Sequence, residues 1–261
     1  GWFRGVAGLM WSLATQGARQ RIPYREEAAL LCFASGTALI TLSPLDPNGE
    51  ALMSNYIPVI HSPVFFLGLM LVFCGTALML LRVFTTPLKG DFSFALFAAA
   101  LITTISLAAF CWSFAQMPDV IDGQQYYDMA FWGGGHVLQF THVQVMMVVW
   151  LMLARALQPS FHVRRAILYG IFSIGLLTAF TTPLPYLLFD IASMQHREFF
   201  TQQMIVAGAA APVILLVFLW PAVWQARRKN ALWPALIMSI ILFLYGGMLG
   251  GMIQGQDVVI P

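Results

Sequence analysis

The sequence predicts an all-α polytopic membrane protein, with about eight transmembrane helices. Three observations predict it. The first is composition: of 261 residues, 59% are apolar and only 9% are charged, whereas a soluble domain carries ~25% charged residues. The second is the length of the unbroken apolar runs, which match the ~20 helical residues needed to cross ~30 Å of hydrocarbon. The third is the alternation of basic and acidic connections between those runs. Together they exclude a water-soluble enzyme, and they exclude a disordered chain, which needs low hydrophobicity and high net charge. A net charge of +2 excludes the concentrated basic face of a nucleic-acid binder. An outer-membrane barrel would show ~10-residue alternating strands, and no such alternation is present.

Eight spans follow in order, at roughly 2–17, 27–44, 57–83, 93–116, 128–156, 164–190, 199–225 and 231–254. The first reads as the tail of a longer helix. The third opens at Ile60-His61-Ser62-Pro63. The sixth contains Thr181-Thr182-Pro183-Leu184-Pro185, which must break or kink it, because proline lacks the N–H and clashes with the preceding turn. The eighth ends in Gly246-Gly247-Met248-Leu249-Gly250-Gly251, a doubled small-residue pattern suited to close helix packing. No repeat or linker divides the chain, so residues 1–261 are expected to form one transmembrane domain. The chain starts at Gly1 without Met and stops at Pro261 just after the glycine-rich run, so it reads as part of a longer protein.

Lys and Arg concentrate on the cytoplasmic side of membrane proteins. Arg19, Arg21 and Arg25 follow span one; Arg82 and Lys89 follow span three; Arg155, Arg164 and Arg165 follow span five; Arg227, Arg228 and Lys229 follow span seven. That is eleven of the thirteen basic residues, leaving only Arg4 and Arg197 on the other side. The alternate connections carry Asp46, Glu50, Asp119, Asp122, Asp128, Asp190 and Glu198. Trp112 and Trp132 at outer ends, and Trp220, Trp224 and Trp233 at inner ends, read as interfacial anchors. Cys32, Cys74 and Cys111 lie inside apolar runs without C-x-x-C spacing and read as small buried hydrophobes.

Ionisable residues at membrane depth are costly and tend to be functional. No Asp, Glu, Lys or Arg falls in the middle of a span, which weighs against a proton-coupled carrier. Histidines remain. His162 lies in a basic inner loop, and His61 caps an outer helix end. His196 lies at the outer start of span seven and reads as a loop residue. His136 and His142 lie within span five, and His136 follows Gly133-Gly134-Gly135, where a neighbouring helix or a flat ring could approach closely. A neutral imidazole there is a natural copper or iron ligand; the alternative is a hydrogen bond to a carbonyl of the next helix. His142 is six residues on and rotated by roughly 120°, so the two cannot easily grip one metal.

The run Trp132–Phe140, W-G-G-G-H-V-L-Q-F, resembles the sixth helix of haem–copper oxidase subunit I. Phe200-Thr201, Met204-Ile205 and Pro212 resemble its eighth helix. Tyr245 to Pro261 resembles the ninth and the run into the tenth. The resemblance covers most of the chain as helices two to nine of a twelve-helix fold. It implies haem and copper as cofactors, with His136 as a copper ligand and His196 as a further one if its segment folds inward. The sequence also departs from the family. Span six has no histidine where the family carries an adjacent pair, and Phe140 replaces the tyrosine of oxygen reductases. The glutamates of nitric-oxide reductases are missing, and the haem ligands would fall outside residues 1–261.

The resemblance implies a subunit I-like component of a haem–copper respiratory complex of the bacterial inner membrane. Its electrons would come from cytochrome c or a quinol and pass to oxygen or nitric oxide, and its partners would be other respiratory subunits and the lipid bilayer. The missing histidine pair keeps open a degenerate subunit, haem-binding or purely structural, without copper chemistry. An unrelated carrier of a neutral substrate is the third possibility.

Overall fold

The structure, a computed structural model, describes residues 24–54, 58–85, 90–225 and 231–253. The expected span at 2–17 lies outside the described residues. The rest is a helical bundle: α1 Tyr24–Leu42, α2 Pro63–Thr85, α3 Ser93–Ala115, α4 Gly123–Leu157, α5 Arg165–Ala179, α6 Pro183–Leu188, α7 Met194–Met204, α8 Ala211–Gln225 and α9 Leu232–Ile253. Between α1 and α2 lies a two-stranded antiparallel hairpin, β1 Glu50–Leu52 against β2 Val59–His61. Seven helical segments among the described residues are long and apolar enough to cross a membrane. They coincide with the second to eighth expected spans, and the protein is a multi-pass helical membrane protein.

The ends of the helices sort as the charges require. Asp91, just before α3, binds Arg155 at the end of α4 (2.9 Å) and Arg165 at the start of α5 (3.0 Å). Gln158 beyond α4 meets Gln225 at the end of α8 (3.0 Å). These connections form one end of the bundle, the basic one. At the opposite end, the Gln116 carboxamide donates to the Tyr186 carbonyl and the Trp132 indole to the Arg197 carbonyl. Asp46 accepts from the Ser62 hydroxyl and the Asn48 N–H there, which holds its carboxyl below the usual range. The acidic connections therefore share an end.

The centre of the bundle is α4, whose 35 residues extend ~52 Å at 1.5 Å per residue. That exceeds the hydrocarbon thickness, so the helix tilts or projects beyond it. It packs against α3, α5, α7, α8 and α9. Trp150 is fully buried there, and its indole N–H donates to Ser239 of α9. On the flank, α1 lies on α2 through a glycine pair: a Cβ on Gly36 would come within 2.7 Å of the Gly68 carbonyl oxygen, and the reverse holds equally. This close approach is the packing expected of small residues in lipid.

The glycines of α9 do not pack this way within the chain. A Cβ added at Gly246, Gly247 or Gly250 would meet no neighbouring element within 4 Å, so the close packing expected of them is not made among the described residues. The cysteines also differ from expectation. Cys74 and Cys111 are exposed at the bundle surface and Cys32 is half-buried, because a lipid-facing position is as apolar as a core and a small thiol suits either.

Candidate functional site

Prolines shape the site. The ring of Pro183 occupies the space in which residue 179 would present its carbonyl, and α5 ends at Ala179. Three tighter i→i+3 bonds, Thr181 N–H to Thr178 O (3.0 Å), Thr182 N–H to Ala179 O (3.1 Å) and Leu184 N–H to Thr181 O (3.0 Å), carry the chain across the break. The short helix α6 then resumes and places Tyr186 inside the bundle, 3% exposed. Opposite, Pro212 cannot donate to Gly208, and the ladder widens into a π-helical turn over Ile205–Ala210, the kind of local insertion that recurs at functional sites.

At the start of α7, Ser193 caps the helix by accepting from the His196 N–H (3.2 Å). The cap sets the helix phase so that His196, Phe200 and Gln203, at i, i+4 and i+7, form one buried face. His196 is therefore not in a loop. It is 1% exposed, and neither ring nitrogen has a hydrogen-bond partner.

His136 on α4 faces the same place. Its Nδ1–H donates to the Trp132 carbonyl one turn earlier (2.9 Å), which leaves Nε2 as the nitrogen with the lone pair. Its ring lies 4.7 Å from that of Trp132 and 6.3 Å from that of Phe200, centroid to centroid. His196 lies 5.1 Å from Phe200 and 4.9 Å from Tyr186. The two histidines expected as metal ligands are thus brought against one phenyl ring, from two helices separated by 60 residues of sequence. His142 sits half-buried one and two-thirds turns deeper; His61 and His162 are exposed at opposite ends of the bundle.

The walls are aromatic. Trp112 stacks on Tyr186 at 5.1 Å and 15°, and the Tyr186 hydroxyl bonds to Ser113 (2.8 Å) and the Ala109 carbonyl (3.1 Å). The Arg197 guanidinium lies 5.6 Å over the Trp132 ring, so the one basic residue expected on the acidic side among the described residues caps this cage. Trp112 and Trp132 are consequently cage walls, a role beyond the interfacial anchoring expected of them. Trp220 and Trp224, 59% and 69% exposed, do face outward as belt residues would.

The triple glycine makes room for side chains. A Cβ on Gly133 would collide with the Tyr186 hydroxyl and the Phe200 ring, and one on Gly134 would come within 2.5 Å of the Phe110 ring. These faces are filled by aromatic rings, so a haem does not fit against them. Copper fares differently. A buried imidazole with both nitrogens unpartnered fits a ligand, and the Nδ1–H bond of His136 is the arrangement by which a ligating histidine is oriented. The donor set stops at two, since the described residues hold no group of three His, Cys, Asp or Glu.

Comparison with known proteins gives two relatives. The chain is 26% identical, over 272 aligned residues, to an uncharacterized protein of Rickettsia prowazekii, covering 86% of this chain and 52% of that protein. It is 29% identical, over 245, to an uncharacterized protein of Aquifex aeolicus, covering 90% of this chain and 60% of that one. The chain thus spans between half and three-fifths of the length of these relatives. No family model and no solved structure matches it.

Proposed function

We propose that the chain is a subunit I-like component of a haem–copper respiratory complex of the bacterial inner membrane. In this reading it takes part in passing electrons from cytochrome c or a quinol to oxygen or nitric oxide. The observation that carries the reading is the meeting of His136 and His196 on Phe200, with His196 buried and its two ring nitrogens unpartnered. An unsatisfied buried polar group costs ~1–3 kcal/mol, and a metal ion relieves that cost at an imidazole. His136 Nε2 and a nitrogen of His196 would hold copper, which when bound supplies one-electron chemistry and a binding position for a diatomic gas. The chain's own part is positional: Trp132 fixes the tautomer of His136, the Ser193 cap phases His196, and the rings of Trp112, Tyr186 and Phe200 hold the two imidazoles in place. No described residue is assigned to haem.

A second reading is favoured by the two-donor set and by the filled glycine faces. In it the chain keeps the scaffold and serves as a degenerate subunit of a membrane complex, without copper chemistry.

Metal analysis with an optical spectrum of the purified full-length protein separates the two. The first reading expects copper bound in proportion to protein and lost in both His136→Ala and His196→Ala, with each variant still assembled. Absence of copper from the wild-type protein, with an optical spectrum unchanged in both variants, overturns it in favour of the second.

A further inference from the structure

Deeper in the bundle, α4, α5 and α7 carry buried polar side chains that the imidazole cage does not use. Gln144 on α4 is 1% exposed; its carboxamide N–H donates to the Phe172 carbonyl of α5 (2.8 Å). It fits only because residue 175 is glycine, where a Cβ would come within 2.7 Å of that nitrogen. Gln203 on α7 is 5% exposed and donates to the Thr181 hydroxyl (2.7 Å) and the Thr178 carbonyl (3.3 Å). In both side chains the donor half is spent on α5 and its break, and the carbonyl oxygen Oε1 is buried without a partner. The hydroxyl of Thr182, 3% exposed and at the break itself, has none either.

Three orphaned groups on three segments need a ligand that donates hydrogen bonds and carries no counter-charge, since no acidic or basic side chain is paired with them. The backbone nearby is irregular for the reason already given: Pro183 ends α5, and Pro212 opens the π turn that begins two residues after Gln203 and packs on α5. Irregular backbone at membrane depth survives where it lines a cavity or is solvated, and buried water characteristically satisfies such groups. Along α5 and α6 the order is Phe172, Thr178, Thr181, Thr182, Tyr186. On α7 Gln203 and His196 lie two turns apart on the same buried face, and Tyr186 touches His196.

We propose that a file of buried water molecules runs along the break of α5, held by the Oε1 atoms of Gln144 and Gln203 and by the Thr182 hydroxyl, and reaching the unpartnered imidazole of His196. It would give that imidazole a hydrogen-bonding and proton-exchanging partner in an otherwise aromatic cage. The orphaned oxygens of Gln144, Gln203 and Thr182 call for such water whether or not the cage binds a metal.

X-ray hydroxyl-radical labelling of the full-length protein in lipid nanodiscs tests it, because radiolysis of a bound water oxidises the side chains beside it. Phe140, one turn from Gln144, and Phe200, one turn from Gln203, are 1% and 0% exposed; Phe65, in a separate aromatic cluster, is 2% exposed. The same side chain at the same burial should therefore label several-fold faster at Phe140 and Phe200 than at Phe65. Gln203→Leu should bring Phe200 down to the Phe65 rate. The comparison within the wild-type protein needs no variant to fold: Phe140 and Phe200 labelling no faster than Phe65 overturns the proposal. Labelling at Phe200 that persists in a folded Gln203→Leu protein also overturns it.

Discussion

A methyl group has no place at Gly133 or Gly134. At Gly133 it would meet the Tyr186 hydroxyl and the Phe200 ring, at Gly134 the Phe110 ring, and these rings are packed on Trp112, His196 and Phe131 in turn. Overpacking of this kind costs ~1–3 kcal/mol. Gly133→Ala and Gly134→Ala should each lower the thermal midpoint of the detergent-solubilised protein. Gly170→Ala and Gly247→Ala, where nothing lies within 4 Å, should leave it unchanged or raise it, since alanine favours a helix by up to ~1 kcal/mol over glycine. Equal losses at all four would contradict the packing described. At this scale the sequence singles out His136 and announces a close approach at the glycines, but three small residues do not say what makes it; only the fold tells whether a backbone, a flat cofactor or a phenyl ring does. For His196, the Ser-x-x-His spacing of the cap was the available signal, because a cap at Ser193 makes residues 196, 200 and 203 one face.

The breaks in the helices were half legible. Pro183 and Pro185 in series give away the end of α5, and the structure puts that end at Ala179, the residue whose carbonyl the ring of Pro183 displaces. Pro212 carries the same information for α7, but a single proline in an apolar run reads equally as a kink, and the π turn depends on how Gly208 and Ala207 are buried. The joint made by Asp91 was not legible at all, because it links residues 64 and 74 positions apart. It ties the start of α3 to the end of α4 and the start of α5. Hydrogen bonds from Arg165 and Arg155 hold its carboxyl below the usual range. A depressed folded-state value means the stabilisation is present above the unfolded carboxylate pKa and disappears as pH falls through the folded one. Asp91→Asn should therefore lose stability at neutral pH, by about 1 kcal/mol or less for such exposed pairs. The gap to the wild type should close in acid. Thermal midpoints of the two proteins across an acid-to-neutral series check this, and a gap that widens in acid would contradict it.

For the molecule as a whole, hydropathy and loop charge are independent records of one topology. Hydropathy located seven of the spans with ends off by up to about six residues, the largest miss being the third, whose expected start at 57 takes in the strand Val59–His61 before the helix opens at Pro63. Charge located the ends: Asp91 meets Arg155 and Arg165 at one end, while Trp132 meets Arg197 at the other, as an alternating chain requires. Neither record speaks to which interior faces meet, which is why the shared Phe200 surface of His136 and His196 had to await the fold. The topology itself yields the last prediction. A folding-sensitive reporter inserted after Arg228 should read cytoplasmic, and one after Asp122 external, since three membrane-crossing segments, joined by two connections, separate these positions of opposite charge bias. Reporter activity on the same side at both positions would mean that one helical segment between Gly123 and Gln225 fails to cross. The suspect would then be the segment broken between Ala179 and Pro183, whose two pieces, 15 and 6 residues long, are each too short to span the ~30 Å core alone and do so only in series.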